Sequence, residues 1–171
     1  MTRLGFRHAA AAFTLTTLLA CASTQAASSN DDRAAVTAHV REFLDAYAAD
    51  NQQAALRLID PRQFTMFGSD AAEIAHGATG LQRFLNDDFH LWHTAHFGPI
   101  EHLDLRIGAQ YASAFFDVPF SAAGAAPLTL RVSTVWHKVN GVWMLTQSSN
   151  CVPTTGSSAR EILNKQLPAR R

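Results

Sequence analysis

The sequence has few of the features that mark several large classes of protein. No apolar run approaches the roughly 20 residues that a membrane-spanning helix needs, which argues against an integral channel or transporter. The 14 Lys and Arg residues only balance the 14 Asp and Glu residues. A nucleic-acid-binding protein is therefore not expected, because such proteins concentrate positive charge against phosphates. What the chain has is 47% apolar residues over a length of 171, enough for one folded domain with its own core.

The amino-terminal residues have the layout of a secretory signal peptide. Arg3 and Arg7 precede an apolar stretch that ends at Ala20, and small residues follow it. This order predicts a signal peptide over residues 1–27 and an exported protein. The residues that end at Cys21 also resemble a bacterial lipobox. Two fates therefore stay open: plain cleavage would release a periplasmic protein, whereas lipidation of Cys21 would anchor a lipoprotein to the outer membrane.

Two cysteines are present, and either fate of the signal peptide removes Cys21 from disulfide chemistry. Cys151 then stands alone in an oxidising compartment, where disulfides would otherwise form. A thiol nucleophile needs a basic neighbour, and the sequence assigns none to Cys151. We therefore expect Cys151 to be a small buried residue.

Helical spacing of apolar residues follows a polar linker predicted at residues 28–33. The first stripe comprises Val36, Val40, Phe43, Leu44 and Tyr47, which predicts an amphipathic helix. A second, shorter helix is predicted after a cap at Asp50 or Asn51. It ends at Asp60, because a residue before proline is pushed out of the helical region.

A third helix is predicted from Thr79, whose spacing to Gln82 is that of a capping box. Its apolar stripe comprises Leu81, Phe84, Leu85 and Phe89. Asp87 and Asp88 fall at its carboxyl end, where the helix dipole disfavours negative charge. Such a pair sometimes marks a site and is more often a solvated face.

The second half of the chain has the alternation and composition of β-strands. Strands are predicted at residues 91–97, 100–107, 111–120, 128–139 and 142–149. Asn140-Gly141 favours a two-residue hairpin turn. In that register one face of the hairpin carries Thr134, Trp136, Leu145, Gln147 and Ser149. A helical tail is predicted over residues 157–171.

The order of these elements resembles the SnoaL-like domains of the nuclear-transport-factor-2-like (NTF2-like) superfamily. The motifs are Asp60-Pro61 before a short strand, the segment from Gly68 to Gly77, and the hairpin from Val135 to Trp143. The association domain of calcium/calmodulin-dependent kinases is similar too. The resemblance covers about residues 33–153, within a domain assigned to residues 28–156.

The resemblance implies an α+β fold. Three N-terminal helices would pack on a strongly bent antiparallel sheet and form a cone with an internal pocket. It also implies a homodimer formed through the sheet. Because this superfamily contains both enzymes and non-catalytic domains, the fold leaves the function open.

We expect the pocket to bind a small, mostly apolar molecule. The candidate ligand-binding residues are Phe43, Tyr47, Trp92, Thr134, Trp136, Gln147 and Ser149. Gln147 and Ser149 stand where many relatives have histidines, and their neutral groups can orient a ligand but are poor general bases near pH 7. No motif indicates a nucleotide or a flavin, so no cofactor is predicted.

An isomerase or cyclase acting on a carbonyl compound by acid/base chemistry is one alternative. The resemblance places Phe43 and Gly68 where the steroid isomerases have their tyrosine and their base, so that constellation is absent. The remaining candidate catalytic residues are Asp117 and His137. Asp117 is interpreted either as a carboxyl in an apolar cavity, with a raised pKa, or as an outward-facing strand residue.

A non-catalytic oligomerisation domain, with a vestigial pocket, is the other alternative. A metal site is not predicted. His90, His93 and His96 recur every three residues, but on a strand they would alternate between faces. They also lack the Cys or Glu partners of a zinc signature.

Overall fold

The computed structural model describes residues 15–92 and 94–153. Side chains within residues 15–28 are not described, so the lipidation proposed at Cys21 is not addressed. The predicted tail at 157–171 and the histidine at position 93 lie outside the described residues. No helix within the described ranges has both the length and the apolar character needed to cross a membrane.

Three helices precede most of the sheet in the described chain. They are α1 (Leu15–Ala48), α2 (Gln52–Arg57) and α3 (Gly77–Leu91). Asn51 caps α2 as expected, because its side chain accepts a hydrogen bond from the Ala54 amide. The capping box expected at Thr79 is wrong, since α3 already begins at Gly77, after His76 in an extended conformation and without a side-chain cap.

Seven strands form one sheet. They are β1 (Thr65–Phe67), β2 (Ile74–His76), β3 (His96–Phe97), β4 (Glu101–Ile107), β5 (Tyr111–Ser121), β6 (Leu128–Val139) and β7 (Val142–Cys151). Their order is β2-β1-β7-β6-β5-β3, and β4 also pairs with β5. The α+β class is confirmed. The sheet is mixed rather than purely antiparallel, because β1 runs parallel to β7, and it does not close on itself.

The hairpin of β6 and β7 turns where the sequence predicts it. Asn140 and Gly141 have φ values of 51° and 84°, the left-handed geometry that such a turn requires. Val139 pairs with Val142 and Trp136 pairs with Leu145. The segment 91–97 is different from the prediction, because Leu91 ends α3 and only His96–Phe97 is a strand.

The core lies between α1, α3 and the concave face of the sheet. Four residues of the predicted α1 stripe are buried: Val36, Val40, Leu44 and Tyr47. The largest fully buried side chains on the sheet side include Trp136, Trp143, Leu145 and Val118. The helices therefore cover one face of the long strands.

The polar segment at residues 28–33 is helical and is not a linker. It belongs to α1, where Asp32 contacts the β6–β7 hairpin. One carboxylate oxygen of Asp32 accepts hydrogen bonds from Lys138 Nζ at 2.5 Å and from Trp143 Nε1 at 3.0 Å. The Lys138 ammonium lies 5.4 Å from the centre of the Trp143 ring, and the three side chains tie α1 to the sheet.

Candidate functional site

A cavity of about 360 Å³ lies between the helices and the concave face of the sheet. Four residues of α1 line it, namely Val40, Phe43, Leu44 and Tyr47. Inward-facing residues of the long strands form the opposite wall, including Phe116, Leu130, Val132, Trp136 and Leu145. Trp92 and Leu128 line it too and are 42% and 40% exposed. These exposed side chains mark the opening of the cavity.

Aromatic rings follow one another along one wall of the cavity. The ring of Tyr47 lies 5.4 Å from that of Phe97, edge to face. Phe97 lies 5.2 Å from Phe120, and Phe120 lies 6.1 Å from Trp92. All four rings line the cavity. We call Tyr47, Phe97, Phe120 and Trp92 the aromatic wall; these spacings are in the range of favourable ring pairs.

A β-bulge decides which polar groups of β7 reach the cavity. Trp136 pairs with Leu145, but Val135 pairs with Gln147, so Thr146 is an extra residue in β7. Its hydroxyl donates a hydrogen bond to the Val135 carbonyl at 3.0 Å. One extra residue inverts the inward and outward positions of the remaining strand.

The prediction that Gln147 and Ser149 face the cavity is therefore wrong. Both are exposed on the other face. Ser148 and Asn150 line the cavity instead, together with Val152. In the sequence, only Val152 indicated this change of face, because it is apolar and falls by alternation on the same side of the strand as Ser148 and Asn150.

Thr134 and Trp136 face the cavity and bond to each other. The indole nitrogen of Trp136 donates to the Thr134 hydroxyl at 2.9 Å, and that hydroxyl donates to the Ala114 carbonyl at 3.3 Å. The Thr134 hydrogen is thus already used within the protein. The two residues supply a wall rather than a free donor.

A buried acid lies behind the aromatic wall. The Tyr47 hydroxyl donates a hydrogen bond of 2.6 Å to Asp88 Oδ2, and the two residues are 9% and 7% exposed. Burial raises the pKa of Asp88, although the hydrogen bond from Tyr47 opposes the shift. Burial and the neighbouring Asp88 raise the pKa of Tyr47.

Asp88 could have been recognised from spacing. It stands seven residues after Leu81 and three after Leu85, which are fully buried in α3. A residue at those positions shares their face of the helix. The apolar pattern therefore already pointed to Asp88 as a buried carboxyl.

No protein-family model and no curated protein matches the chain in sequence. Solved structures do match. An NTF2-like protein of unknown function from Pseudomonas putida has a TM-score of 0.65 and 10% identity, covering 77% of this chain and 90% of its own. An NTF2-like superfamily protein from Salmonella enterica has a TM-score of 0.64 and 16% identity, covering 72% and 92%. The fold is NTF2-like.

A third match is a protein from Xanthomonas campestris described as a proposed calcium/calmodulin-dependent protein kinase II association domain. It has a TM-score of 0.60 and 15% identity over 69% of this chain and 85% of its own. The resemblance inferred from the sequence is thus confirmed at the level of the fold. Proteins of this similarity share an architecture, and the chemistry of the site has to be argued from its own residues.

Asp117 does not line the cavity. It faces outward on β5, where Arg131 donates two hydrogen bonds to its carboxylate at 2.9 and 3.0 Å. His102 Nδ1 lies 3.2 Å from the same group. The hydrogen bond from Arg131 lowers the pKa of Asp117. The expectation of a raised pKa in an apolar cavity is therefore wrong. Asp117 lies on the outer face of the sheet, as the alternative interpretation expected, but it is buried there beside Arg131, only 8% exposed.

His137 is far from Asp117 and does not line the cavity either. It pairs with Tyr111 across β5 and β6, whereas Asp117 pairs with Arg131. An offset of six positions along the strands separates the two by roughly 20 Å. The ring of His137 stacks on that of Tyr111 at 4.5 Å. The structure therefore does not bring the two predicted catalytic residues together.

His90 and Cys151 are also placed differently from the expectation. His90 lies in α3, where its Nδ1 is 2.6 Å from the Asn86 carbonyl, and His96 lies in β3. Within residues 15–92 and 94–153, no group of three or more candidate ligands could hold a metal ion. Cys151 is exposed rather than buried, because it ends β7 beyond the bulge.

We expect Asp88→Asn to raise the free energy of unfolding at neutral pH. The amide still accepts from Tyr47 but removes the buried charge. The pKa of Asp88 is higher in the folded state than its unfolded value near 3.8, so the native state holds this proton up to a higher pH than the unfolded state does. The free energy of unfolding of the wild type therefore falls as pH rises from the unfolded pKa to the folded pKa. Urea unfolding between pH 3.5 and 8 should show an advantage of the variant that grows with pH.

Asp87→Asn is the matched control, since Asp87 directly precedes Asp88 in α3 and is exposed. It should change stability little at any pH. If the Asp88→Asn protein were less stable than wild type at pH 7, the conclusion that burial of the charged carboxylate destabilises the fold would be wrong.

Proposed function

We propose that this NTF2-like domain binds a small, mostly apolar molecule in its cavity. The observation that carries the proposal is the cavity itself, whose walls are apolar and aromatic side chains from α1 and the concave sheet face. Its volume of about 360 Å³ falls within the roughly 300–1,000 Å³ of typical small-molecule sites. Polar groups are few, and Ser148 and Asn150 are placed to orient a ligand.

Acid/base catalysis by Asp117 and His137 has no comparable support. Both groups face away from the cavity, and Asp117 is ion-paired. Export and dimerisation through the sheet stay proposals, the first from the pattern of residues 1–27 and the second from the resemblance.

Binding can be tested with N-phenyl-1-naphthylamine, a neutral probe whose fluorescence rises in apolar surroundings. Leu130 lines the cavity, so Leu130→Trp should fill part of it and weaken probe binding about tenfold or more. Leu103→Trp is the matched control, because Leu103 is 39% exposed on β4 and does not line the cavity. It should bind the probe as wild type does.

The proposal fails if wild type gives no saturable signal, or if the two tryptophan variants bind the probe equally. Circular dichroism of both variants would establish that each is folded. Native mass spectrometry of protein from cells should in addition reveal a co-purified small molecule.

A further inference from the structure

The charged groups at the cavity are negative. Among the described residues that line it, Glu73 is the one charged side chain, and none is Lys, Arg or His. Asp88 stands directly behind the Tyr47 hydroxyl. Neither Glu73 nor Asp88 forms an ion pair with a described basic residue. A carboxylate head group of a ligand would meet repulsion here and find no cation.

Glu73 lies near the Tyr47–Asp88 pair. The charge of Glu73 is close enough to raise the pKa of both Asp88 and Tyr47. The carboxylate of Glu73 occupies the space beside Gly68, where a Cβ would stand 2.1 Å from Oε2. It accepts a hydrogen bond from the Asp70 amide at 3.0 Å, which fixes it at the end of β1.

A separate observation points to a hydrogen-bond donor on the ligand. The side-chain oxygen of Asn150 is buried and has no hydrogen-bond partner among the described residues. Asn150 lines the cavity. It follows Ser149, which pairs with Phe67 in β1, so it lies beside Gly68 and the Glu73 loop. A buried acceptor without a partner is costly, and a donor from a ligand would satisfy it.

The aromatic wall supplies the third element. Tyr47 belongs both to the pair with Asp88 and to the wall, so aromatic faces begin next to the acids. Aromatic rings attract cations within about 6 Å of their centres. Carboxylates, an unpaired acceptor and aromatic faces all favour a positively charged group that donates hydrogen bonds.

We propose that the cavity binds a lipophilic amine, with the protonated nitrogen near Glu73, Asn150 and the Tyr47–Asp88 pair and the apolar body against the aromatic wall. This inference rests on the proposed ligand-binding function and names the class of ligand. A bound cation would compensate the charge of the buried carboxyl at Asp88. This explains why a carboxyl is present there, although an amide is expected to make the ligand-free protein more stable.

The test uses three probes with one body and different head groups: 3-phenylpropylamine, 3-phenylpropanol and 3-phenylpropanoate. Isothermal titration calorimetry on the full chain at pH 7 gives their dissociation constants. We expect the amine to bind at least tenfold more tightly than the carboxylate, with the alcohol between them.

Isosteric variants assign the preference to residues. Glu73→Gln should weaken amine binding about five- to tenfold, because a charge-assisted hydrogen bond becomes a neutral one. Asp88→Asn should weaken it about two- to fivefold, because Asp88 does not line the cavity and its negative charge acts from behind the Tyr47 hydroxyl. Binding of the alcohol should change less than about twofold. Glu101→Gln is the control, since Glu101 is exposed on β4 and does not line the cavity.

The outcomes separate this inference from the proposed function. If the carboxylate binds as tightly as the amine, or if neither acidic variant changes the preference, the amine is the wrong class, while a saturable naphthylamine signal would still support ligand binding. If no probe binds and the naphthylamine signal is absent, both proposals fail together.

Discussion

Replacing Trp136 with alanine is expected to lower the free energy of unfolding by about 3–5 kcal/mol. Trp136 is 1% exposed near the hairpin end of β6 and faces the cavity. Truncation removes its packing and enlarges an existing void that the surrounding strands cannot close. It also leaves the Thr134 hydroxyl without the indole donor. Urea denaturation monitored by circular dichroism measures the loss.

Trp92→Ala is the control for Trp136→Ala. Trp92 lines the same cavity but is 42% exposed, so its removal should cost about 1 kcal/mol or less. Trp136→Phe keeps most of the volume and should fall between the two. A loss as small as that of Trp92→Ala would mean that the cavity wall collapses around the missing indole, which would count against a preformed site.

The same comparison extends to ligand binding. Both variants alter the cavity lining, but only Trp136→Ala enlarges its deep end. We therefore expect weaker retention of the naphthylamine probe in the folded fraction of Trp136→Ala, in agreement with the role assigned to Trp136 from the sequence. Binding of this neutral probe would then depend on the shape of the cavity wall rather than on any single polar contact.

The architecture could be predicted because, in long segments, the spacing of apolar residues shows both the type of element and the face that is buried. The apolar stripe from Val36 to Tyr47 fixes which face of α1 is buried. The strand at 128–139 has the predicted bounds, and Asn140-Gly141 fixes the turn that follows it. The short strand β2 was not predicted, since its three residues show too little alternation and lack the aromatic residue found in β1.

The candidate site could be predicted only in part, and β7 shows why. After Leu145 the strand continues as Thr146-Gln147-Ser148-Ser149-Asn150, which contains no apolar residue to mark the inward face. The turn sets the register at one end, and an extra residue at Thr146 changes it, with Val152 as the one apolar residue beyond it that marks the new inward face. Gln147 and Ser149 were consequently assigned to the wrong face.

Charged residues were misplaced for a different reason, because the sequence does not show which distant residue each of them pairs with. The apolar neighbours of Asp117 along β5 made it a candidate base. Its partner Arg131 lies across on β6. Asp88 was considered at a helix end, and its partner Tyr47 comes from a helix 41 residues away. Pairings of this range are decided by topology and not by local sequence.

Asp32 is the most distant such anchor, and its removal gives the second large expected effect. Asp32→Ala should lower the free energy of unfolding by about 2 kcal/mol, since two hydrogen bonds to a charged acceptor are lost. Lys138 and the Trp143 indole would keep no partner from α1. Urea unfolding at pH 7 measures the effect, with Asp31→Ala as the control because Asp31 is exposed one position earlier.

The pH dependence of this loss tests its electrostatic origin. The hydrogen bond from Lys138 lowers the pKa of Asp32 below its ordinary value of 3.8. A carboxyl with a lowered folded pKa contributes stability that is complete above the unfolded pKa and disappears as pH falls through the folded one. The gap between wild type and Asp32→Ala should therefore be constant from pH 8 to about 5 and shrink below about pH 4. The contribution of Asp88 to stability changes with pH in the opposite direction, because the pKa of Asp88 is raised. A gap for Asp32→Ala that stayed constant down to about pH 2 would mean that Asp32 acts through helix packing and not through its carboxylate charge.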